Sequence, residues 1–393
     1  MRHDGTNEVV SRLRILQIGT HYPFHIYGDE VFGGVENNLK QCVDVLSSQY
    51  QLQAIGYNTR NETRRYERDG VPVIACASLG KFSSQWVSPR FIWEIARAKP
   101  DIIHLHAPEV LGMFAVLFFH RRTPLVITHH LDIVRQRFLR LFVRPFYRVV
   151  LKRAKVVIVY TKKYAEMSEE LIAVSDQVAV VPHGTREDEL ILLPGEQEAA
   201  LEEKKKLFGS SNVVAFLGRH VGYKGIDYLI EAMVELPEIQ LMIGGGGEKT
   251  AEWQALSKAR GLEARVHFIG NIKTAEARRK FYAMSDLFVL PSLTRSESFG
   301  QVLVEAQLSS VPVLTTETGS GNTEIVQDGK TGYVVPPADA FALAKSIKMA
   351  FSDDAKRNEM RDNALANAKA RYTDRQCGVA LLEVFGKVAA STG

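Results

Sequence analysis

Short apolar strands that alternate with helical stretches are the feature that most constrains the fold of this chain. Apolar runs at 14–19, 102–106 and 213–217 are five or six residues long, and stretches with helical periodicity separate successive runs. Strands that alternate with helices favour parallel sheets covered by helices. The sequence therefore predicts an α/β protein.

The predicted strands form two series. The first comprises 14–19, 52–57, 71–75, 102–106, 124–128, 156–160 and 178–182, and the second comprises 213–217, 240–243, 266–269, 287–290, 311–315 and 332–335. Between the series, charged helix-forming residues at 185–211 indicate a linker followed by a helix. A chain of 393 residues is also longer than a single hydrophobic core usually accommodates, so two domains are expected. We predict an N-terminal domain at 1–190, a C-terminal domain at 191–373, and a segment at 374–393 whose helix crosses back to the first domain. Two doubly wound domains are expected to bind ligands in a cleft at the C-terminal ends of their strands.

Composition excludes several classes of protein. The hydrophobic content of 46% and the charged content of 24% are ordinary for a globular protein, and a net charge of +4 does not indicate nucleic-acid binding. The three cysteines are far apart, so neither a disulfide framework nor a zinc site is expected. The start of the chain is polar and the longest apolar run, at 113–119, is far shorter than a membrane span. We expect a cytoplasmic protein that can lie on a membrane surface.

Two glutamates in the second series suggest a nucleotide-sugar site. Glu297 lies in a Ser/Gly-rich turn after the strand at 287–290, and Glu305 lies eight positions later on a predicted helix. Backbone N–H groups at the start of that helix suit an anionic diphosphate, and carboxylates suit sugar hydroxyls. Glu305 lies within an apolar pattern, so its burial requires a ligand or an ion-pair partner.

A basic pair follows the first strand of the second series. Arg219 and Lys224 are five positions apart and are bracketed by glycines, so together they can hold a diphosphate. A solvated basic pair is the alternative. Because the pair and both glutamates follow strands of one predicted sheet, we expect them at the same edge.

Other glycine-rich turns are less specific. The turn at 319–321 is interpreted either as a phosphate or sugar loop or as a plain tight turn. The run at 244–247 lacks the spacing and the partner acid of a dinucleotide site. Gly33 and Gly34 open the first helix, where a second anion-binding helix start is expected, and 25–32 is expected to form a cleft loop.

Histidines cluster in the first series. His104 and His106 share one strand face, which we interpret as structural. His130 follows a strand close to Asp132 and is the better candidate for a hydrogen bond to a substrate hydroxyl or a leaving phosphate. A structural histidine is the alternative interpretation.

The segment 135–155 is basic and apolar, and no acidic residue occurs between Asp132 and Glu166. This composition is typical of a helix that lies on an anionic membrane, and a core helix with a solvated basic face is the alternative. The arginines predicted to contact the acceptor or the membrane are Arg135, Arg137, Arg140, Arg144 and Arg148.

Taken together, these motifs resemble the retaining glycosyltransferases of the family-4 type, which have the GT-B fold of two doubly wound Rossmann-like domains facing a central cleft. The matching motifs are Gly33-Gly34-Val35-Glu36, Thr128-His129-His130, Gly218-Arg219 with Lys224-Gly225, Glu297 with Glu305, and 329–337. The segment 129–136 further resembles bacterial mannosyltransferases that extend polyprenyl-diphosphate-linked glycans.

The resemblance implies a role for each site residue. Arg219 and Lys224 would neutralise the donor diphosphate, Glu297 would hold hydroxyls of the donor sugar, and Glu305 would hold the ribose. The backbone of Phe299, Gly300, Gln301 and Val302, together with Gly34, would contact the donor, and His130 would lie near the reacting centre. Ser298 and Gln301 depart from the family pattern, which commonly has Gly and a small aliphatic residue at these positions.

The resemblance also implies the reaction. It predicts a retaining, metal-independent transfer of a hexose, with mannose from GDP-mannose favoured, to a lipid-linked glycan of exopolysaccharide or lipopolysaccharide synthesis. The partners are the nucleotide sugar, the polyprenyl-diphosphate-linked acceptor and an anionic membrane at the inner face of the cell membrane; no cofactor, metal or nucleic acid is expected. The alternatives are a UDP-sugar-dependent hexosyltransferase, a sugar-nucleotide epimerase and a non-catalytic membrane protein that binds glycan or lipid.

Overall fold

The chain folds into two compact units in a computed structural model that describes residues 12–20, 34–82, 85–132 and 137–391. The N-terminal unit contains the described residues of Met1–Val159, Glu169–Ala179 and Gly378–Gly393, and the C-terminal unit contains Tyr160–Ser168 and Val180–Cys377. The predicted domain boundaries stay a prediction, because a compact unit is not necessarily an independently folding domain.

The N-terminal half is built on a mostly parallel sheet. Its strands are β1 (Arg14–Ile18), β2 (Gln51–Tyr57), β3 (Arg64–Arg68), β4 (Val71–Cys76), β5 (Gly80–Phe82), β6 (Gln85–Val87), β7 (Ile102–Ala107), β8 (Leu125–His129), β9 (Val156–Val159) and β10 (Val178–Val180). Its helices are α1 (Gly34–Leu46), α2 (Pro89–Arg97), α3 (Val110–Phe119), α4 (Arg137–Arg153) and α5 (Lys162–Met167). Eight strands form one sheet in the order β10-β9-β8-β7-β1-β2-β4-β3, in which β3 is antiparallel to β4, and β5 pairs with β6 as a separate hairpin.

Helices cover both faces of this sheet. The connections through α2, α3 and α4 all step along the sheet in one direction, whereas α1 connects β1 to β2 in the opposite direction. Since such crossovers are right-handed, α2, α3 and α4 share one face and α1 lies on the other. Side-chain contacts agree, because Gly112 of α3 lies close to Leu105 of β7, and the adjacent His104 faces Phe385 near the C-terminus.

The C-terminal half repeats the same architecture. Its strands are β11 (Asn212–Leu217), β12 (Ile239–Gly244), β13 (Val266–Gly270), β14 (Leu287–Leu290), β15 (Val313–Thr316) and β16 (Gly332–Val335). Its helices are α6 (Glu196–Phe208), α7 (Ile226–Ala232), α8 (Thr250–Ala259), α9 (Ala275–Ala283), α10 (Gln301–Leu308), α11 (Asn322–Ile325), α12 (Ala340–Phe351) and α13 (Asp354–Arg371), followed by α14 (Asp374–Ala390), which joins the N-terminal unit from Gly378. The six strands are parallel in the order β13-β12-β11-β14-β15-β16, so the α/β class predicted from the sequence is confirmed.

The core of the C-terminal unit is continuous along this sheet. Val213, Ala215, Phe288 and Leu314 are fully buried, as expected for parallel strands covered on both faces. Among the described residues, none of the helices combines the length and the apolar content that crossing a bilayer requires.

Candidate functional site

The C-terminal ends of β11 and β14 bring the predicted donor residues together. The two strands are neighbours in the sheet, and the loops that follow them are joined by a hydrogen bond from the Leu293 N–H to the Tyr223 carbonyl, 2.7 Å. Gly225 permits this approach, because a Cβ at this position would lie 2.2 Å from the Pro291 carbonyl oxygen and its φ is +67°. Only glycine fits here without displacing the backbone.

Lys224 and Glu297 form an ion pair at this edge. The Lys224 Nζ donates to the Glu297 Oε2, and the side chains are only 9% and 13% exposed. The Ser292 hydroxyl lies 3.5 Å from the same carboxylate oxygen. An ammonium group has three N–H donors, so Lys224 retains donors for a further acceptor while Glu297 fixes its position.

Arg219 is the second predicted cation of the site. It follows β11 directly, its residue is exposed, and its side chain makes no hydrogen bond or ion pair with any described residue. Its planar guanidinium can hold two oxygens of a phosphate at once.

The N-terminus of α10 begins at Gln301 beside this pair. Gly300 precedes the helix with φ +87°, a conformation that favours glycine, and the first N–H groups of a helix have no acceptor within the helix. Phe299 is buried against Tyr160 and Tyr372, with ring centroids 5.7 and 5.9 Å apart. The Phe299 side chain therefore holds the turn in the core, and the predicted contact of its backbone with the donor stays a prediction.

Glu305 is buried in α10 and has partners within the fold. The Tyr282 hydroxyl donates to it at 2.9 Å, and the Arg278 guanidinium lies 3.9 Å away. Burial raises the pKa of Glu305, and Arg278 and Tyr282 oppose that increase. The sequence predicts a ligand or an ion-pair partner for Glu305 but does not point to Tyr282 or Arg278, because their helix carries no motif.

The neighbouring glycine-rich turns support this site through backbone contacts. Gly321 donates to the Ser298 carbonyl at 3.2 Å, and a Cβ on Gly321 would lie 2.5 Å from that oxygen. The Gly246 carbonyl accepts from His220, and the Gly244 carbonyl accepts from Gly218. Both turns therefore brace the loops that carry the predicted donor residues.

In the N-terminal unit, His130 lies at the end of a buried polar relay. Its Nε2 is 3.0 Å from the His106 Nδ1, and the His106 Nε2 is 3.2 Å from the Gln17 Oε1. Burial holds the pKa of His106 well below its usual value, so the ring is neutral and carries one N–H. With the Gln17 oxygen accepting that hydrogen, the His106 Nδ1 accepts from the His130 Nε2.

Asp132 contacts the first histidine of the motif, His129. The His129 Nε2 lies 3.2 Å from the Asp132 Oδ1, and its Nδ1 lies 2.7 Å from the Tyr147 hydroxyl. Glu170 packs against Asp132, and burial together with this contact raises the pKa of Glu170 to about 7. The His-His-Leu-Asp segment is thereby anchored to α4 through its first histidine.

One group of described side chains has the composition of a metal site. Ligand atoms of Cys42, His104 and His106 lie within 4.8 Å of one another, all buried. However, the His104 Nε2 bonds to the Thr128 hydroxyl at 2.7 Å, and both nitrogens of His106 are engaged. Hydrogen bonds within the fold therefore engage three of the four ring nitrogens, whereas the buried His104 Nδ1 has no partner among the described residues. The expectation of a metal-independent protein stays a prediction.

Part of the predicted acceptor and membrane segment can be placed. Arg135 lies outside the described residues, as do the side chains of Arg137 and Arg140. Arg144 is engaged by Glu169 and by Glu170, the latter at 3.0 Å, whereas Arg148 is exposed. Gly34 is the first residue of α1, and Gly33 and the predicted cleft loop at 25–32 lie outside the described residues.

Comparison with known proteins gives two adjoining matches along most of the chain. Residues 33–184 match the family model of the glycosyl transferase 4-like domain, and residues 197–367 match that of glycosyl transferases group 1. The O-antigen chain mannosyltransferase C of Escherichia coli is 25% identical over 92% of this chain and 95% of that protein. The phosphatidyl-myo-inositol mannosyltransferase of Mycobacterium leprae is 29% identical over 93% of this chain and 96% of that protein.

A solved structure supports the same fold. Sucrose-phosphate synthase from Thermosynechococcus elongatus superposes with a TM-score of 0.82 and 22% identity over 97% of this chain and 100% of that chain. Together with the family matches along both halves, this superposition confirms the resemblance found in the sequence. The protein belongs to the group 1, family-4 type glycosyltransferases and has their GT-B fold.

Proposed function

We propose that this glycosyltransferase moves a mannosyl residue from GDP-mannose to a polyprenyl-diphosphate-linked glycan, with retention of configuration. The ion pair of Lys224 and Glu297 beside the start of α10 is the observation that carries the proposal. A cation, a carboxylate and unsatisfied helix N–H groups converge at one strand edge, which suits a sugar diphosphate. The similarity to two mannosyltransferases over more than nine-tenths of the chain favours mannose.

In the proposed reaction, the bond between the sugar C1 and the diphosphate oxygen breaks as the acceptor oxygen bonds to C1 from the same face. The proton of the acceptor hydroxyl passes to the leaving phosphate oxygen. Lys224, Arg219 and the N-terminus of α10 stabilise the negative charge that develops on the diphosphate. These groups take the part that a divalent metal plays in other transferases, so we propose a metal-independent reaction.

Glu297 and Glu305 are assigned to orientation. Glu297 is fixed by Lys224, which suits a carboxylate that accepts hydrogen bonds from the donor sugar. Glu305 lies five residues beyond Gly300, about 7.5 Å along the helix axis, which suits contact with the ribose. His130, which His106 holds through a ring-to-ring hydrogen bond, is assigned a hydrogen bond to a substrate hydroxyl or to the leaving phosphate.

The proposed setting is bacterial exopolysaccharide or lipopolysaccharide synthesis at the inner, cytoplasmic face of the cell membrane. The lipid-linked acceptor requires the enzyme to approach a bilayer, and the basic composition of 135–155 supports an anionic one. The nucleotide sugar is a substrate, and we propose no further cofactor.

A panel of donors with a synthetic polyprenyl-diphosphate-linked oligosaccharide tests this function. We expect mass spectrometry to show one added hexose with GDP-mannose, NMR to show the α-anomer, and activity to persist with a chelator. Preference for a UDP-hexose would show that the donor is a UDP-sugar rather than GDP-mannose. Release of an isomerised sugar in the absence of acceptor would indicate an epimerase. In a thermal-shift panel, a nucleotide sugar at about a hundred times its Kd should stabilise the protein by about 2.7 kcal/mol.

A further inference from the structure

The outward face of α3 is apolar and aromatic. Ten residues form this helix and none of them is charged. Phe114, Phe118 and Phe119 are 39%, 47% and 54% exposed, and the first two rings pack 4.4 Å apart. Contiguous exposed aromatic side chains on a helix are typical of a surface that binds a protein, a membrane or a ligand.

Cations surround these three rings on the neighbouring elements. Because α2, α3 and α4 cover the same face of the sheet, the residues they expose face away from it together. The exposed cations of this layer are Arg97 on α2, Arg121 and Arg122 directly after α3, and Arg148 and Lys152 on α4. Trp93 of α2 adds a 39% exposed indole between Arg90 and Arg97, 3.9 and 4.2 Å from its ring centroid.

Arg153 joins α4 to the loop that carries the cations after α3. Its guanidinium donates to the Thr123 carbonyl at 2.6 Å and also to the carbonyl of His120. The α4 cations are thereby held close to Arg121 and Arg122. The exposed aromatic and basic groups therefore lie on one layer of helices that pack against each other.

The positive charge of this surface favours an anionic partner. Glu94 of α2 and Glu109 at the start of α3 are buried, with Glu94 paired to Arg65 and Arg90 and Glu109 bonded to backbone N–H groups of α3. The described parts of α2, α3 and α4 thus expose cations and no carboxylate. A second copy docked on the same face would oppose cations with cations, whereas an anionic bilayer offers phosphates to the cations and acyl chains to the rings.

We infer that the aromatic face of α3, with its flanking cations, seats the protein in an anionic lipid bilayer. The helix is about 15 Å long, half the thickness of a hydrocarbon core, so it lies in the interface rather than across it. This inference deepens the proposed function and rests on it, since a lipid-linked acceptor requires a nearby bilayer. It moves the principal membrane contact from the predicted arginines of α4 to the phenylalanines of α3.

Sedimentation with vesicles of phosphatidylcholine, with and without phosphatidylglycerol, tests the surface. Wild-type protein is expected to bind only the anionic vesicles. The double variant Phe118→Ser/Phe119→Ser should lower the binding constant at least about tenfold, because two phenylalanines leave the apolar phase. Arg121→Gln/Arg122→Gln should lower it about fivefold for each cation and reduce its dependence on salt.

Phe341→Ser is the matched control, because Phe341 is 75% exposed on α12 of the C-terminal unit. It should bind vesicles as the wild type does. Thermal stabilisation by GDP and by UDP shows whether each variant is folded with an intact donor site. Undiminished vesicle binding by both double variants, or an equal loss in Phe341→Ser, would overturn the inference, as would a dimer that dissociates in Phe118→Ser/Phe119→Ser without any vesicle binding.

Failure of the proposed function can be distinguished from failure of the membrane-surface inference. If the wild type binds anionic vesicles through α3 but transfers no sugar to the lipid-linked acceptor, the proposed function fails and the membrane surface stands. If transfer occurs and both double variants retain full vesicle binding, the function stands and the surface assignment fails.

Discussion

Two lysine–carboxylate pairs occupy opposite ends of the same two strands, β11 and β14. At the N-terminal end, Lys204 lies 2.5 Å from Asp286, and both side chains are 16% exposed. At the C-terminal end, Lys224 pairs with Glu297 at a similar depth. Burial and pairing alone do not distinguish the two sites.

Their surroundings do distinguish them. Asp286 also accepts the Val213 N–H at 2.8 Å and donates its own N–H to the Val213 carbonyl, so this pair closes the start of both strands. Around Lys224 and Glu297, the helix start at Gln301 and the exposed Arg219 add hydrogen-bond donors that the described part of the chain leaves without acceptors. The pair at the start of the strands is thus surrounded by satisfied groups, whereas the pair at their ends lies beside donors without acceptors among the described residues.

Exchanging the two lysines for alanine tests this contrast most strongly. Lys224→Ala should lower kcat/KM for sugar transfer at least about a hundredfold, since it removes charge stabilisation of the leaving diphosphate. Lys204→Ala should leave kcat/KM near the wild-type value and lower the free energy of unfolding by about 1–3 kcal/mol. Initial rates and chemical denaturation measure both effects. Equal losses of activity in the two variants would abolish the distinction.

A smaller effect is expected deeper in the donor site. Glu305→Gln should raise the donor Kd at least about tenfold, because a hydrogen bond to a charged group contributes about 1.5–3 kcal/mol. Tyr282→Phe is the matched control, since it removes only the hydroxyl that holds Glu305 and should raise Kd less. Calorimetric titration with the nucleotide diphosphate gives these values. A larger increase of the donor Kd in Tyr282→Phe than in Glu305→Gln would argue against a ribose contact by Glu305.

Glu305 should also make the stability of the protein and its affinity for the donor depend on pH. Because burial raises the pKa of Glu305, the folded protein holds a proton that the unfolded chain releases at lower pH. The stability linked to Glu305 is therefore complete below its unfolded pKa and is lost as the pH rises through the raised value, while donor affinity increases over the same range as the carboxylate forms. Denaturation and titration across pH check this opposition, and Glu305→Gln should flatten both curves; persistence of both slopes in the variant would assign them to another group.

The smallest expected effect concerns Arg219. Arg219→Ala should weaken donor binding up to about fivefold, because an exposed ion pair contributes about 0.2–1 kcal/mol, and the loss should shrink at high salt. Stability should not change, as this side chain has no described partner to lose. Arg260→Ala, which removes an exposed arginine paired with Glu231 on the outer surface, serves as the control and should leave donor binding unaltered.

Much of the fold could be predicted because periodicity marks buried parallel strands clearly. The predicted strands at 287–290 and 332–335 coincide with β14 and β16, and the final helix predicted at 374–389 differs from α14 by one residue. The charged edge strand β3 was missed, because Arg64–Arg68 has no apolar face for a pattern to reveal. The β5–β6 hairpin was missed for a similar reason, since its strands have three residues each.

The candidate donor site likewise contains residues that could be placed from the sequence and partners that could not. Lys224 and Glu297 could be placed at one edge because both follow strands, and parallel topology brings strand ends together. The partners of Glu305 could not be predicted, because Tyr282 and Arg278 lie on a helix whose orientation depends on packing. Likewise, the pairing of Asp132 with His129 depends on a backbone path that residue spacing does not specify.

The return of the chain to its first unit affects the order in which the protein is completed during synthesis. Phe385 of α14 packs against Tyr50 and His104, so the N-terminal core is finished only when the last helix has left the ribosome. At translation rates of about 5–20 residues per second, the roughly 200 residues between Ala179 and Gly378 take about 10–40 s to make. During that interval the apolar surface that Phe385 and α14 cover in the folded protein stays exposed on the nascent N-terminal unit.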